Sequence, residues 1–170
     1  MASGTKFYTG IAALINPSKE FRQYVDISLN DIDEKNDVEV LTQSRSRLKF
    51  PASWERVYRQ YESEYLPKIF SDDFRSLFDK DEVTKATEPQ LCSCRDGHFT
   101  FSKTTVLSVF IIFDIRAQVV IQVERRDGTT KTTTIDECGR GMILITHGGC
   151  NLRFSGGGQI ILANMTYQKG

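Results

Sequence analysis

The clearest pattern in the sequence is an alternation of apolar and polar positions over residues 104–124. Every odd-numbered position from Leu107 to Val123 is apolar, and a period of two predicts a β-strand with one buried face. A single strand of this length would far exceed the usual length of about five or six residues. We therefore predict two strands with a bend at residues 114–118. The even-numbered positions are mostly apolar before the bend and mostly polar after it, so we expect the first strand to be buried on both faces and the second on one.

Shorter strand-like segments follow this stretch. Residues 129–135 are rich in threonine and come after Asp127-Gly128, a dipeptide that favours tight hairpins. Three more strands are predicted, at residues 142–146, 150–154 and 159–165. The glycine-rich turns between them lack the Lys-Ser/Thr pair and the following helix of a phosphate-binding loop. We therefore predict an antiparallel sheet in the C-terminal half, arranged either as a meander or as a β-sandwich.

The N-terminal half gives weaker patterns. Alternation over residues 23–29 predicts a half-buried strand, which an acidic turn at 30–37 connects to a second short strand near 38–41. The aspartates of this turn approach the spacing of a calcium-binding loop, but an asparagine stands where that loop requires glycine. We interpret the turn as a solvated loop.

Two helices are predicted in the middle of the chain. Ser53 is a suitable N-cap for the first, Pro67 is expected to end it, and its aromatic and apolar residues recur every three or four positions. These residues are Trp54, Val57, Tyr58, Tyr61 and Tyr65. The second helix is predicted over residues 71–78, with Ser71 as its N-cap. Such helices packed on a sheet define an α+β fold. The aromatic stripe fits either core packing or an interface, because tyrosine and tryptophan are common in both.

The length of 170 residues fits a single domain. Within it, residues 1–20 are expected to be loop-like, and residues 79–103 form the most polar connection between predicted elements. We expect this connection to be a loop.

Charge and composition narrow the choice of partners. The formal net charge is zero, which argues against sequence-specific or general nucleic-acid binding by an overall positive field. No apolar segment is long enough to cross a membrane, and we find no secretion signal. We therefore expect a cytoplasmic protein with free thiols.

The cysteines and histidines raise the question of a metal site. The candidate ligands are Cys92, Cys94, His98, His147 and Cys150, with Cys138 as a more distant partner. One residue separates Cys92 from Cys94, whereas structural zinc sites usually place two to four residues between their thiols. We find no motif for a nucleophile, a catalytic triad or a cofactor. The sequence therefore predicts no metal, no cofactor and no enzymatic activity.

The overall layout resembles the small matrix proteins of plant rhabdoviruses, the cytorhabdovirus group. The resemblance is carried by the helical segment SWERVYRQYESEYLPKIF and the glycine-containing end GMILITHGGCNLRFSGGGQIILANMTY. It implies a virion or host-cytoplasm protein that self-associates and condenses the viral nucleoprotein. It also implies a link to the inner membrane leaflet through lipid and the glycoprotein tail. The lysine-rich tail and proline-rich motif of related animal viruses are absent from the sequence.

Under this hypothesis, interactions would use one basic and aromatic surface. Its residues are Arg45, Arg47, Lys49, Trp54, Arg56, Tyr58, Arg59 and Tyr61. Two alternatives stay open. One is a β-sandwich or jelly-roll binding module or coat subunit, and the other is a small metal-dependent enzyme that uses the cysteines and histidines named above.

Overall fold

The computed structural model describes residues 4–8, 10–36, 38–127 and 132–170. The early strands are β1 (Gly4–Tyr8), β2 (Ala12–Asn16), β3 (Glu39–Val40), β4 (Arg45–Leu48), β5 (Lys85–Ala86), β6 (Gln90–Cys94) and β7 (Gly97–Phe99). The later strands are β8 (Thr105–Arg116), β9 (Val120–Arg125), β10 (Thr132–Thr134), β11 (Ile143–His147), β12 (Cys150–Ser155) and β13 (Gln159–Gln168). The α-helices are α1 (Lys19–Asp31), α2 (Trp54–Gln60) and α3 (Leu66–Ile69).

The strands form two antiparallel sheets. The larger sheet has the order β1-β2-β11-β8-β13-β6-β4-β3, with β5 paired to β13, and the smaller has the order β10-β9-β12-β7. One apolar core lies between the sheets and combines side chains from both. A second core lies between the other face of the larger sheet and the helices. The architecture is a jelly-roll sandwich covered by helices on one side, which confirms the predicted α+β class.

The long apolar stretch is the centre of this arrangement. Strand β8 lies between β11 and β13, and it sends Phe110 and Ile112 into the core between the sheets and Ile111 and Phe113 into the core beneath the helices. Strand β9 buries one face only. The chain turns between these strands at Ala117, whose φ is 58°. The predicted bend and the predicted burial of the two strands are both confirmed.

The strand predicted over residues 23–29 is wrong, because these residues belong to helix α1. The Ser18 side chain caps the helix by accepting a hydrogen bond from the N–H of Phe21 at 3.2 Å. Phe21, Val25 and Ser28 are buried, at spacings of four and three that place them on one helical face. The alternation also misplaced Ile27, which is 50% exposed.

The predicted middle helix is present and continues past Pro67. A π-helical turn at Tyr61–Tyr65 joins α2 to α3. Pro67 has no N–H to donate to the preceding turn, and such a missing bond is a known cause of local helix distortion. The second predicted helix is reduced to a 3₁₀ turn, Asp72–Phe74, which the Ser71 side chain caps by accepting from the N–H of Asp73.

Two segments for which the sequence predicted loops contain strands. Residues 1–20 include β1 and β2, and β2, which lies between β1 and β11, is buried continuously from Ala12 to Ile15, so its sequence shows no alternation. Residues 79–103 include β5, β6 and β7. In β6, cysteines occupy buried positions. Aliphatic residues at these positions would have indicated a strand, but the cysteines, which also pack as small apolar residues, were not counted as apolar. The predicted Asp127-Gly128 turn includes Gly128, which lies outside the described residues, as do residues 129–131.

Candidate functional site

The interior between the two sheets is lined by apolar and sulfur-containing side chains. Strand β8 contributes Phe110 and Ile112, and strand β12 contributes Leu152 and Phe154. Phe99 of β7 is paired in register with Leu152 and makes edge contacts with the rings of Phe110 and Phe154. These five side chains are at most 6% exposed. Large apolar groups in mutual contact therefore occupy this region as a packed core.

The predicted metal candidates do not converge. Cys92, Cys94 and Cys150 are buried in the core between the sheets, and burial raises the pKa of all three thiols, so they stay protonated and unreactive at neutral pH. His98 of β7 is exposed, with its Nε2 3.8 Å from the Oε2 of Glu124. The residues that the structure describes contain no group of three His, Cys, Asp or Glu placed to hold a metal.

His147 lies at the end of β11 and is half-buried. Its Nδ1 accepts a hydrogen bond from the N–H of Gly149 at 2.9 Å. Burial lowers the pKa of the imidazole, and the nearby Arg125 lowers it further. The ring is therefore neutral at pH 7, and its proton resides on Nε2. His147 belongs to a surface cavity of about 360 Å³, which we call the His147 pocket.

The structure divides the predicted interaction surface. Trp54 is 8% exposed and Tyr61 is fully buried, so neither can offer a surface. Trp54 stacks on Phe50 with ring centroids 4.4 Å apart, and the hydroxyl of Tyr61 lies 2.8 Å from that of Tyr167. Trp54 and Tyr61 therefore belong to the core and not to an interaction surface, because the aromatic stripe packs the helix against the larger sheet.

The remaining members lie in two places. Strand β4 carries Arg45, whose guanidinium lies 4.5 Å from the centre of the Phe99 ring, and Arg47, whose Nη1 is 3.2 Å from Glu39 Oε2. Lys49 follows the strand and is exposed. Arg56 and Arg59 are exposed on α2. Tyr58 is half-buried, and its ring stacks on those of Trp54 and Tyr61 with centroid distances of 5.6 and 6.2 Å.

Arg56 and Arg59 line a groove between α1 and α2 with a volume of about 490 Å³. Its walls are formed by Tyr24, Ile27, Ala52, Ser53, Glu55, Arg56 and Arg59, and we call it the α1–α2 groove. Tyr24 and Ile27 were missed by the sequence reasoning because their segment was interpreted as a strand. A helical reading would have shown Ile27 as an apolar residue away from the buried face.

No protein-family model matches the chain, and no curated protein sequence matches it either. Several solved structures are similar to the chain. A prolyl hydroxylase from Trichoplax adhaerens, in complex with a hypoxia inducible factor oxygen degradation domain peptide fragment, has a TM-score of 0.64 and 8% identity over 95% of this chain and 84% of its own. A Pseudomonas putida prolyl-4-hydroxylase has a TM-score of 0.61 and 8% identity over 99% and 93% of the two chains.

An oxidoreductase of the 2OG-Fe(II) oxygenase family from Burkholderia pseudomallei is also similar, with a TM-score of 0.57 and 11% identity over 99% of this chain and 85% of its own. Together these likenesses identify the class of fold, a jelly roll of the type found in prolyl hydroxylases and 2OG-Fe(II) oxygenases. At such low identity they establish the fold alone.

The iron implied by this fold can be tested against the residues present. Non-haem Fe(II) oxygenases hold their metal with two histidines and one carboxylate that leave coordination positions open. His98 and His147 are the two histidines of the chain. The first is exposed beside Glu124, the second lies at the end of a strand in the other sheet, and neither is among the side chains of the core between the sheets. The residues present do not fit an iron centre.

The predicted viral matrix protein is wrong. The similar structures are hydroxylases and oxygenases that match nearly the whole chain, and the sequence carries no viral motif. The features that suggested a matrix protein are the helix that covers the larger sheet and the turns that connect jelly-roll strands. The expectation that the chain is not an enzyme is contradicted by the same likeness, because enzymes use this fold.

The expected bridging of nucleocapsid and envelope and the virion location lose their support with the matrix hypothesis. Within the described ranges, no helix has both the length and the apolar character needed to cross a bilayer.

Proposed function

We propose that this chain recognises a polypeptide segment and that the α1–α2 groove binds it. The observation that carries the proposal is the exposed apolar and aromatic wall of the groove, where Ile27 is 50% exposed beside Tyr24. Tyrosine and arginine are among the residues that contribute most to protein interfaces. The groove therefore offers the side-chain chemistry that binds a large apolar side chain of a partner.

The charges of the groove favour an acidic partner. The guanidinium of Arg56 lies 5.1 Å from the centre of the Tyr24 ring, and within the described residues it has no carboxylate within ion-pair distance. Arg59 pairs with Glu55, but both side chains are more than two-thirds exposed, and exposed pairs of this kind contribute little. An incoming carboxylate could bind Arg56 and compete for Arg59. The segment should therefore combine an acidic side chain with a large apolar one.

The fold supports a polypeptide as the ligand. The Trichoplax structure is that of a prolyl hydroxylase in complex with a peptide fragment, so one protein with this fold binds a peptide. Recognition of a polypeptide is common to a hydroxylase and to a binding domain, and the proposal concerns that recognition.

Fluorescence anisotropy with short labelled peptides tests the proposal. The peptides carry one acidic and one large apolar side chain, with and without proline, and a scrambled uncharged peptide serves as the reference. We expect saturable binding that Ile27→Ser and Arg56→Gln each weaken about tenfold, a change of about 1.4 kcal/mol in binding free energy. Val40→Ser is the matched control, because Val40 is 73% exposed and does not line the groove.

Two parallel measurements separate the alternatives. Mass spectrometry of the proline peptides after incubation with iron, 2-oxoglutarate and oxygen shows whether an oxygen atom is added. Light scattering across protein concentration shows whether the groove binds a second copy of the chain. Equal binding by wild type, Ile27→Ser and Arg56→Gln would refute the proposal, and so would self-association that Ile27→Ser abolishes.

A further inference from the structure

The His147 pocket is a second cavity, separate from the α1–α2 groove. It lies where β11 ends and β8 and β12 begin, with Lys169 just after the end of β13. Its lining includes the charged side chains of Asp79, Glu82, Lys103, Arg126 and Lys169, together with Thr105 and His147. Its volume of about 360 Å³ is within the range of small-molecule sites.

Arg126 is held in a fixed position at the edge of this pocket. Its guanidinium donates to two backbone carbonyls, that of Phe101 and that of Gly148, the latter at 2.6 Å. A guanidinium has five N–H groups, so donors remain after these two bonds. The contacts join the loop before β8 to the turn before β12, and they orient the charge without neutralising it.

The turn between β11 and β12 is equally constrained. A Cβ at Gly148 would lie 1.9 Å from the carbonyl oxygen of Thr105, so the backbone of the turn packs directly on the start of β8. Because Nδ1 of His147 accepts from Gly149, the remaining ring nitrogen is an N–H donor on a residue that lines the cavity. The pocket thus combines a fixed cation with a fixed neutral donor.

The charges of the pocket are unbalanced in favour of cations. Within the part of the chain that the structure describes, Lys103, Arg126 and Lys169 form no ion pair with a carboxylate. The lining also contains two acids, Asp79 and Glu82, and Asp79 Oδ1 accepts from the N–H of Asp81 at 2.9 Å. Arg125 and Arg126 lower the pKa of His147, and Glu82 raises it. Three cations beside two carboxylates leave the pocket lining with an excess of positive charge, which favours an anionic ligand.

We propose that the His147 pocket binds a small oxyanion, either a carboxylate or a phosphate, through Arg126, the two lysines and the Nε2–H of His147. Carboxylate and phosphate share the oxygen acceptors that such donors recognise. The site is at an edge of the sandwich and shares no residue with the α1–α2 groove. Anion binding can therefore be tested independently of polypeptide binding.

NMR titration of the full chain with inorganic phosphate, and separately with acetate, tests the proposal at constant pH and ionic strength. We expect saturable shifts of the Gly148 and Gly149 amides and of the His147 ring signals. The anion that binds more tightly shows whether the natural ligand is a carboxylate or a phosphate. The double variant Lys103→Ala/Lys169→Ala should weaken binding at least tenfold. Lys35→Ala is the control, because this lysine is exposed and lies outside the pocket.

Two results would overturn the proposal. One is the lack of saturable shifts at these signals with either anion. The other is the same affinity in wild type, the double variant and Lys35→Ala, which would indicate non-specific ion binding. The lysine substitutions are at exposed positions, and an unchanged amide spectrum elsewhere verifies that the variants fold.

Discussion

Replacement of Trp54 by alanine gives the most direct test of how the helices are held on the sheet. Trp54 is 8% exposed and contacts three other rings. It stacks on Phe50 at 4.4 Å, and its centroid distances to Tyr58 and Phe113 are 5.6 and 5.8 Å. Phe113 belongs to β8, so the indole joins the helix to the central strand of the larger sheet.

The expected loss of stability follows from this burial. Truncation of a buried tryptophan to alanine costs about 3–5 kcal/mol, and each aromatic pair contributes about 0.5–1.5 kcal/mol beyond its buried area. Because Trp54 lies at the border of its cluster, where solvent can partly fill the space, we expect a value near the lower end, about 3 kcal/mol. With a urea dependence of about 2 kcal/mol per molar, the unfolding midpoint should fall by about 1.5 M.

Urea unfolding followed by circular dichroism measures this change without relying on tryptophan fluorescence. Trp54→Phe should retain most of the stacking and lose less than half as much stability. Val40→Ala, at a position that is 73% exposed, should leave the midpoint unchanged. If Trp54→Ala unfolds at the same urea concentration as wild type, the side chain is not part of the core and the helix packing described above is refuted.

Three further predictions concern an ion pair, a glycine and the missing iron site. Burial alone would raise the pKa of Asp114, but hydrogen bonds from Arg116 and Arg140 hold it below its usual value. Asp114→Asn should therefore cost about 1.5–3 kcal/mol at pH 7, and urea unfolding should show this difference disappearing as the pH falls through the lowered pKa. A difference independent of pH would contradict the reasoning. Gly148→Ala should lower the melting temperature markedly. Gly139→Ala should not, because a Cβ at Gly139 would meet no atom within 4 Å. Equal melting temperatures for the two variants would contradict the close packing of Gly148 on Thr105. Fe(II) added without oxygen should leave the melting temperature unchanged, and a saturable rise would show that a metal site exists.

The linkage for Asp114 has a definite sign. Its carboxyl has a lower pKa in the folded chain than in the unfolded chain, so the folded state favours the ionised form. This stabilisation is complete above the unfolded pKa and is lost as the pH drops through the folded one. Acid should therefore weaken the contact between the end of β8 and Arg140, whose Nη2 is 2.8 Å from Asp114 Oδ1.

The sequence predicted a strand or helix correctly wherever the local pattern of apolar residues matched their burial in the fold. The alternation over residues 104–124 predicted β8, the bend near Ala117 and β9, because a period of two is produced by one buried face regardless of what covers it. The recurring aromatic residues located the middle helix in the same way. The helix begins after Ser53, but the predicted cap is wrong, because the Ser53 side chain makes no capping hydrogen bond. The antiparallel strands near the C-terminus followed from turn residues between apolar segments.

The sequence misled us wherever the surroundings of a segment decide its state. Residues 23–29 alternate like a strand and form a helix, because Phe21 and Val25 find a buried surface at helical spacing. For Trp54 and Tyr61 the sequence allowed either the core or an interface, and only the structure showed that both pack in the core. The function inferred from overall layout failed for a related reason: similar lengths and compositions are compatible with many folds.

The sequence by itself determined the α+β class, the central strand pair and the apolar character of the interior, since each depends on residue types repeated at short range. Only the tertiary structure decided that the strands close into two facing sheets, that Phe99 lies opposite Leu152 in the interior, and that α1 and α2 leave a groove between them. These features join residues far apart in the chain, and no local pattern records which distant segment a strand or helix will contact.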